Sequence, residues 1–525
     1  MVGHAKPEVR LAELVAVLSL ATDLGLGQPM EHVLRQCLIA LRLGERLGLD
    51  EEERGVVYYT ALLAWVGCHV DAHEQSRWFG DELAMKAHVP LVDFDGPRSG
   101  MAFLVGHLGA GRPPLERLRL GLAFLSGEGR RAVDAMFENH SRATNALALA
   151  LGLGERVRDS LEQVFERWDG KGLYGLRGDE TALAARLVAL ADVVEVYHRI
   201  GGPEHALTAA QARAGTQFDP VLVALLMDDA PRVLGDLDEG TTWDLVIASE
   251  PLLQRRLPDD ELEAALIAVA DFTDLKSPFT FGHSRQVGDL ASAAALALGL
   301  PPDEADLVRR AGYLHDLGRL GVPNSIWEKT GPLTPAEWER IRLHPYLTDR
   351  MLSASNVLAP IAAIAARHHE RLDGSGYPHG LTAASLTPTA RLLAVADVYA
   401  AITEPRPHRP PHSADEAATV VRREVRAGRL DGGAAEAVLG AAGHRSVQRR
   451  EWPAGLTARE VEVLRLLARG LSTKQIAADL VISPKTARNH VEHIYAKAAL
   501  TNRAQASVFA MRHGLLSDAE LRAHA

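Results

Sequence analysis

An all-α fold is predicted: two tandem copies of one helical domain, followed by a small helical bundle. Three observations predict it. At 525 residues the chain is longer than one hydrophobic core sustains, about 250–300 residues, so it should divide. Its hydrophobic content is 47% with only 5% aromatics, an Ala/Leu-rich balance that suits soluble helices. Distant stretches of the chain also repeat one another in order, which marks an internal duplication.

The repeat runs through several segments. ATDLGLGQPMEHVLRQ (21–36) parallels FTDLKSPFTFGHSRQV (272–287), setting Asp23 on Asp274 and His32 on His283. ALLAWVG parallels GYLHDLG, so Ala64 and Trp65 stand where His315 and Asp316 stand. His140 precedes Val164 by the same step of 24 that separates His344 from His368. VFERWDGKGLYG (164–175) mirrors HHERLDGSGYPHG (368–380). ARLVALADVVEVY (185–197) mirrors ARLLAVADVYAAI (390–402), placing Asp192 on Asp397, and AGTQFDPVLVALL (214–226) echoes AGRLDGGAAEAVL (427–439). The copies are expected at 1–229 and 261–440. Between them, 230–260 contains the acidic, turn-rich GDLDEGTTWD and reads as a connection. LEAALIAVADFTDLK has helical periodicity and should open the second copy.

The later copy carries His283, His315, Asp316, His344, His368, His369 and Asp397, all residue types that ligate metals. Imidazole nitrogens and carboxylate oxygens suit Fe, Mn or Zn, and a bridging carboxylate lets two ions sit side by side. A lone His is commonly a satisfied core or surface residue; seven such groups, five of them His, call for another explanation. A closed structural zinc site generally has four ligands, often cysteines, and this set is larger and His-rich.

HSRQV, YLHDLGRLGVP, LHP, ARHHERLDGSGYPHGL and RLLAVADVYAAIT together resemble the HD-GYP family of metal-dependent phosphohydrolases, in order and spacing, over about 150 residues. The resemblance implies an HD-type helical domain in each copy and two divalent ions in the second, Fe or Mn first, with Zn or Mg as alternatives. It implies that Asp316 bridges them, with His315, His283 and Asp397 on one ion and His344, His368 and His369 on the other. Two cations about 3.5–4 Å apart can activate water, polarise a phosphoryl oxygen and steady the leaving oxygen. The substrate implied is a cyclic dinucleotide, cyclic di-GMP foremost. Asp316 and Arg319 are the expected catalytic residues, and Lys276, Arg319, Gly376 and Tyr377 the expected substrate contacts, although Lys276 also fits a solvated surface lysine.

The chain departs from the family pattern in places. Arg319 replaces the usual Lys after the His-Asp pair; it keeps the charge and can clamp a phosphate with two donors, but its shape differs. Phe279 stands where some relatives place a Glu for a third ion, so two ions are expected. EPRPHRP (404–410) replaces the family's DRPYR. The loop DGSGYP (373–378) is intact. Gly374 and Gly376 give it backbone freedom and Pro378 stiffens it; in the family this loop is linked to contacts with diguanylate cyclase domains, while a plain loop is the alternative.

The first copy keeps His32, His140 and Asp192 but has Ala64, Trp65, Val164 and Phe165 at four ligand positions. Ala, Val and Phe offer no donor atom, and Trp offers only an N–H, so no dinuclear site is expected there. This copy should sense, dimerise or restrain. His69, Asp71, His73 and Glu74 read as a polar surface loop, with a rearranged metal site as the alternative.

The last part is a separate module. GHRSVQRREWPAG is polar and basic, and 441–455 reads as a linker. Residues 456–525 hold a stretch that resembles the LuxR-type helix-turn-helix over about 62 residues. Thr457 with Glu460 forms a capping box, Ser472 caps the second helix, and Pro484 opens the third. In PKTARNHVEHIYAKA, Val491, Ile494 and Tyr495 should face the core. That leaves Lys485, Thr486, Arg488, Asn489 and His490, with Lys474 from the preceding helix, for double-stranded DNA. From Gly455 onward ten Lys/Arg oppose six Asp/Glu, whereas the whole chain carries −11, so basic charge gathers where the resemblance implies DNA binding. A protein-pairing three-helix bundle is the alternative.

Modules of this type imply a homodimer on paired half-sites, although the tandem copies could instead pair within one chain. Two cysteines, Cys37 and Cys68, give no disulfide framework and fit a reducing cytosol. No apolar run of 18 residues occurs, so neither a signal peptide nor a membrane span is expected.

Overall fold

The computed structural model describes residues 9–237, 242–251, 255–444, 453–468, 470–513 and 515. It is all-α, and among the described residues β pairing is confined to isolated bridges such as Arg10 with Arg256. The chain forms two compact units that divide between residues 445 and 446. Most of the expected linker, 445–452, lies outside the described residues, as do 238–241 of the connecting segment. Residues 252–254 also lie outside the described residues, and the described remainder of that segment is not a plain loop. Ala230–Leu234 and Thr242–Ala248 are helical, and the buried Glu250 accepts a hydrogen bond from Tyr59 Oη at 2.7 Å.

Both copies lie in the first unit, and their duplication is legible bond by bond. Thr22 Oγ1 donates to the Leu18 carbonyl at 2.9 Å, as Thr273 does to Val269 at 2.8 Å. Asp23 accepts the Val33 amide and Asp274 the Ser284 amide, each at 2.9 Å. Glu166 accepts the amides of Tyr174 and Leu176; Glu370 accepts those of His379 and Leu381. Arg186 donates to Asp219, and Arg391 to Asp431. The carboxylates of Asp23, Asp274, Glu166 and Glu370 thereby satisfy backbone amides that bends would otherwise strand. The helices His32–Arg46 and His283–Ala297 each start after a left-handed residue, Glu31 (φ 76°) and Gly282 (φ 77°). Only glycine adopts that region without cost, so the first copy carries the strain.

One continuous apolar core runs through both copies. Helix Leu11–Gly25 packs on the turn Leu317–Gly321, where a Cβ on Gly321 would lie 3.3 Å from Leu24 Cβ. The copies differ most between the second and third ligand positions, since the step from His32 to Ala64 equals that from His283 to His315. Seventy-six residues separate Ala64 from His140, against 29 between His315 and His344, and the excess holds the helices Glu82–His88, Pro97–His107 and Pro114–Leu125.

Among its described residues the second unit is a bundle of four helices, Ala458–Ala468, Thr473–Asp479, Pro484–Ala498 and Arg503–Arg512. Its first two helices open on reciprocal caps, Thr457 with Glu460 and Ser472 with Gln475. Ser483 accepts the Thr486 amide at 3.0 Å to start the third.

Candidate metal centre

Seven side chains of the second copy converge from separate helices and turns. His283 comes from the start of its helix and His344 from the start of His344–Leu352. His315 and Asp316 follow Pro302–Leu314, His368 and His369 follow Ala359–Ala365, and Asp397 lies within Pro388–Thr403. Three sets of donor atoms each fall within 4.8 Å of one another: His344, His368 and His369; His283, His315 and Asp397; and His315, Asp316 and His368.

The carboxylates divide the cluster. Asp316 Oδ1 lies 3.5 Å from His344 Nε2 and 3.7 Å from His368 Nε2, while its Oδ2 lies 3.8 Å from His283 Nε2 and 3.5 Å from His315 Nε2. Asp397 presents Oδ1 to His283 at 3.4 Å and Oδ2 to His369 Nδ1 at 3.6 Å. Each Asp therefore offers one oxygen to each half of the cluster, as a bridging carboxylate requires.

The tautomers are fixed from behind. Nδ1 of His315, His344 and His368 donates to the carbonyls of Gly312, Ile341 and Ala365, at 2.7, 2.6 and 2.6 Å. A carbonyl only accepts, so each ring spends its Nδ1–H there and turns Nε2 inward as the ligating atom. His315 Nε2 is buried with no hydrogen-bond partner. One unpartnered imidazole nitrogen, with two more beside it and two carboxylates facing them, is a donor set suited to divalent cations.

Burial pulls the imidazoles of His344 and His368 down to about 4 and about 3, so both stay neutral. Burial alone would raise Asp316, but the Arg319 guanidinium and the imidazoles outweigh it and hold the carboxyl well below its ordinary range. His283 moves the other way: burial opposes its charge, yet Asp397 and Glu404 push it up to about 10, and a bound cation would compete for that proton.

Arg319 Nη1 donates to Asp316 Oδ2 at 2.8 Å, and its guanidinium lies 4.1 Å from the centre of the Trp327 ring. Stacking on an aromatic face is a contact that the planar Arg makes better than Lys. In the 373–378 loop, Gly374 has φ 79°, the left-handed region. Gly376 is required for another reason, since a Cβ there would lie 2.4 Å from the Arg371 nitrogen and 2.5 Å from the His369 carbonyl. The loop sets the Tyr377 ring 4.7 Å from that of His369.

Lys276 differs from expectation. It is only 3% exposed, with Nζ 3.1 Å from the Leu320 carbonyl and 3.7 Å from Glu82, and burial draws its pKa down to about 8. It is no solvated lysine: its ammonium faces the turn that carries Arg319, and Lys276 and Arg319 line one small pocket. The polar-loop expectation at 69–74 is corrected too. His69 is buried and donates to the Phe272 carbonyl at 2.8 Å, His73 pairs with Glu328, and Asp71 accepts from Asn139. These side chains diverge to separate partners, two of them in the second copy, because the copies pack together there.

In the first copy the ligand positions are closed over by packing. Trp65 and Phe165 lie 5.8 Å apart, Phe165 stacks edgewise on His140 at 4.7 Å, and Trp65 Nε1 donates to Gln36. His32 pairs instead with Asp192 and Glu195. Among the described residues no donor set in this copy approaches one point.

Residue reasoning missed Glu404, whose Oε1 lies 3.0 Å from His283 Nδ1 and orients that ring. It sits in the altered EPRPHRP segment, and an acid directly after the Asp397 helix was the available signal. Trp327 and Glu370 were missed as well, because a stacking ring and a loop anchor carry no motif of their own.

In the second unit Ile494 is buried and Val491 and Tyr495 pack against the core. Lys474, Lys485, Thr486, Arg488 and Asn489 are exposed and His490 is half-buried, so one helix start and its neighbour present a basic, hydrogen-bonding surface.

The HD domain family matches residues 268–433, and the family described as bacterial regulatory proteins, luxR family, matches 454–510. The chain is 31% identical over 421 residues to the 3′3′-cGAMP-specific phosphodiesterase 3 of Vibrio cholerae, covering 79% of this chain and 91% of that protein. A cyclic di-GMP phosphodiesterase of Pseudomonas aeruginosa is 39% identical over 165 residues, 30% of this chain and 40% of that protein. A crystal structure of a cyclic GMP-AMP specific phosphodiesterase of V. cholerae superposes with a TM-score of 0.58 at 26% identity, over 84% of this chain and 99% of that one.

Proposed function

The chain belongs to the HD-GYP family of metal-dependent phosphohydrolases, fused to a LuxR-type helix-turn-helix, and from that premise we propose that it hydrolyses a cyclic dinucleotide and binds DNA. The observation that carries the proposal is the convergence of three inward-facing Nε2 lone pairs on Asp316 and Asp397. Two divalent cations are the proposed cofactor: Asp316 would bridge them, His283, His315 and Asp397 would hold one, and His344, His368 and His369 the other. Such ions supply the positive charge that activates water and offsets charge developing at phosphorus.

The chain's own groups prepare that site. Arg319 keeps Asp316 ionised and is itself held flat by Trp327. The carbonyls of Gly312, Ile341 and Ala365 fix three rings in the ligating tautomer, and Glu404 orients His283. Tyr377, carried by the loop that Glu370 anchors, lines the cluster where a substrate would enter.

For the substrate, 3′3′-cGAMP is the first reading, because the relative of that specificity aligns across both copies, including the degenerate one. Cyclic di-GMP, the expectation from the motifs, is the second, supported by a hydrolase of that nucleotide that is 39% identical over 165 residues. Lys485, Thr486, Arg488, Asn489 and His490, with Lys474, form the proposed DNA-reading surface. Two chains together would read paired half-sites.

The test is a turnover assay of the full chain, loaded with Mn or Fe, on 3′3′-cGAMP and cyclic di-GMP side by side, with Asp316→Ala as control. Metal-dependent hydrolysis that favours 3′3′-cGAMP and vanishes in the variant is expected. Binding of either nucleotide without turnover would instead favour a nucleotide-sensing transcription factor.

A further inference from the structure

We infer that the chain pairs with a second copy of itself through the helix Pro114–Leu125, an element found only in the degenerate copy. This deepens the reading of a pair on DNA and is independent of catalysis. The helix belongs to the stretch that makes the Ala64–His140 span so much longer than its counterpart in the second copy.

Its inner face is anchored. Phe124 packs edgewise on Trp78 at 5.5 Å, and Leu120 joins the small core of Phe79, Met85 and Leu108. Arg117 donates to the carbonyls of Leu108 and Val105, fixing the helix against Pro97–His107. With those residues turned inward, Leu115, Leu118, Leu122 and Leu125 form the outer row, each at least 61% exposed, and Met101 and Val105, four residues apart on the neighbouring helix, are exposed as well.

The spacing identifies the occupant. The steps 115, 118, 122 and 125 alternate three and four residues, the a/d pattern of a coiled-coil seam. Such a narrow stripe is what a second helix with the same stripe covers; a helix packing on a broad core shows a wider apolar face. A two-fold pairing needs one self-complementary patch, which this row supplies. A standard interface buries about 800 Å² per partner, and four leucines this exposed, with Val105 and the half-exposed Met101, provide a substantial part of it. Exposed apolar patches of that extent mark interaction surfaces. The fused helix-turn-helix gives the pairing a use, because such modules read half-sites as dimers.

Light scattering on the full chain tests this without DNA or nucleotide. The wild type should run at twice the 56.7 kDa chain mass. Leu118→Glu with Leu122→Glu should run as one chain with unchanged far-UV helicity, while Leu118→Met with Leu122→Met keeps the dimer. If the Glu pair loses helicity, Met101→Glu with Val105→Glu asks the same question from the neighbouring helix. A wild type that runs as a single chain overturns both the pairing and the surface. A dimer that survives the Glu substitutions overturns the surface alone and places the pairing elsewhere.

Discussion

Nε2 of His344 lies 3.1 Å from Nε2 of His368, although both rings have already given their Nδ1 protons to backbone carbonyls. Two lone pairs at that distance repel unless a cation shares them. Divalent metal should therefore stabilise the fold, by about 4 kcal/mol when free metal reaches about 1,000 times its Kd. Thermal melts with Mn and with chelator should separate in the wild type and coincide once His344 and His368 are both replaced by Ala. A wild type whose melting ignores chelation contradicts the reading.

Glu404 touches no other member of the cluster than His283, so its role is orientation. Groups of this kind tune metal affinity or activity by about 10–100-fold when removed. Glu404→Gln, which keeps the volume, should weaken Mn binding within that range while leaving the fold unchanged. Titration calorimetry measures it; affinity equal to wild type would assign His283 another support.

The first copy should betray its pair by pH. Burial alone would lower the His32 imidazolium, but Glu195 and Asp192 outweigh it and push it up to about 10, while burial would raise Glu195 and His32 with Arg35 outweighs it, leaving that carboxyl at about 2. A raised imidazolium contributes fully below its unfolded value of 6.5 and loses that stability as pH rises toward about 10. A depressed carboxyl contributes fully above 4.5 and loses it as pH falls toward about 2. The Tm gap between wild type and His32→Gln should thus be widest between pH 4.5 and 6.5 and narrow on both sides. A gap of constant width would count against the pair.

Arg488 and Asn489 stand exposed near the start of the third helix of the second unit. Arg488→Ala or Asn489→Ala should each cost about 1–3 kcal/mol at the preferred DNA site and relax discrimination at the base it meets. Unchanged affinity for that site in a binding titration would remove this helix from the major groove.

Much of this was legible in the sequence, because motif residues and their spacing survive without coordinates. The duplication, the all-α fold, the caps at Thr457 and Ser472, the start of the third helix at Pro484 and the HD-GYP membership were all readable there. The inner and outer faces of the last unit's third helix follow from periodicity, and Ile494 is buried as that periodicity requires. What stayed hidden depends on packing between elements far apart in the chain. Nothing local announces that Lys276 is buried against Glu82, 194 positions earlier, or that His69 and His73 bind the second copy. Gly376 looked like a residue needing a special φ and proved to need room for a backbone. The outward Leu row of 115–125 was passed over, since an apolar helix reads the same whether its stripe meets a core or a partner.

The most direct measurement is the metal content of the purified full chain by elemental analysis, wild type beside the Asp316→Ala variant. About two divalent ions per chain, lost or halved when Asp316 is removed and unaffected by His140→Ala in the first copy, is the predicted result. A chain that holds no divalent ion after loading with Mn or Fe, or one whose ions depend on His140, contradicts it.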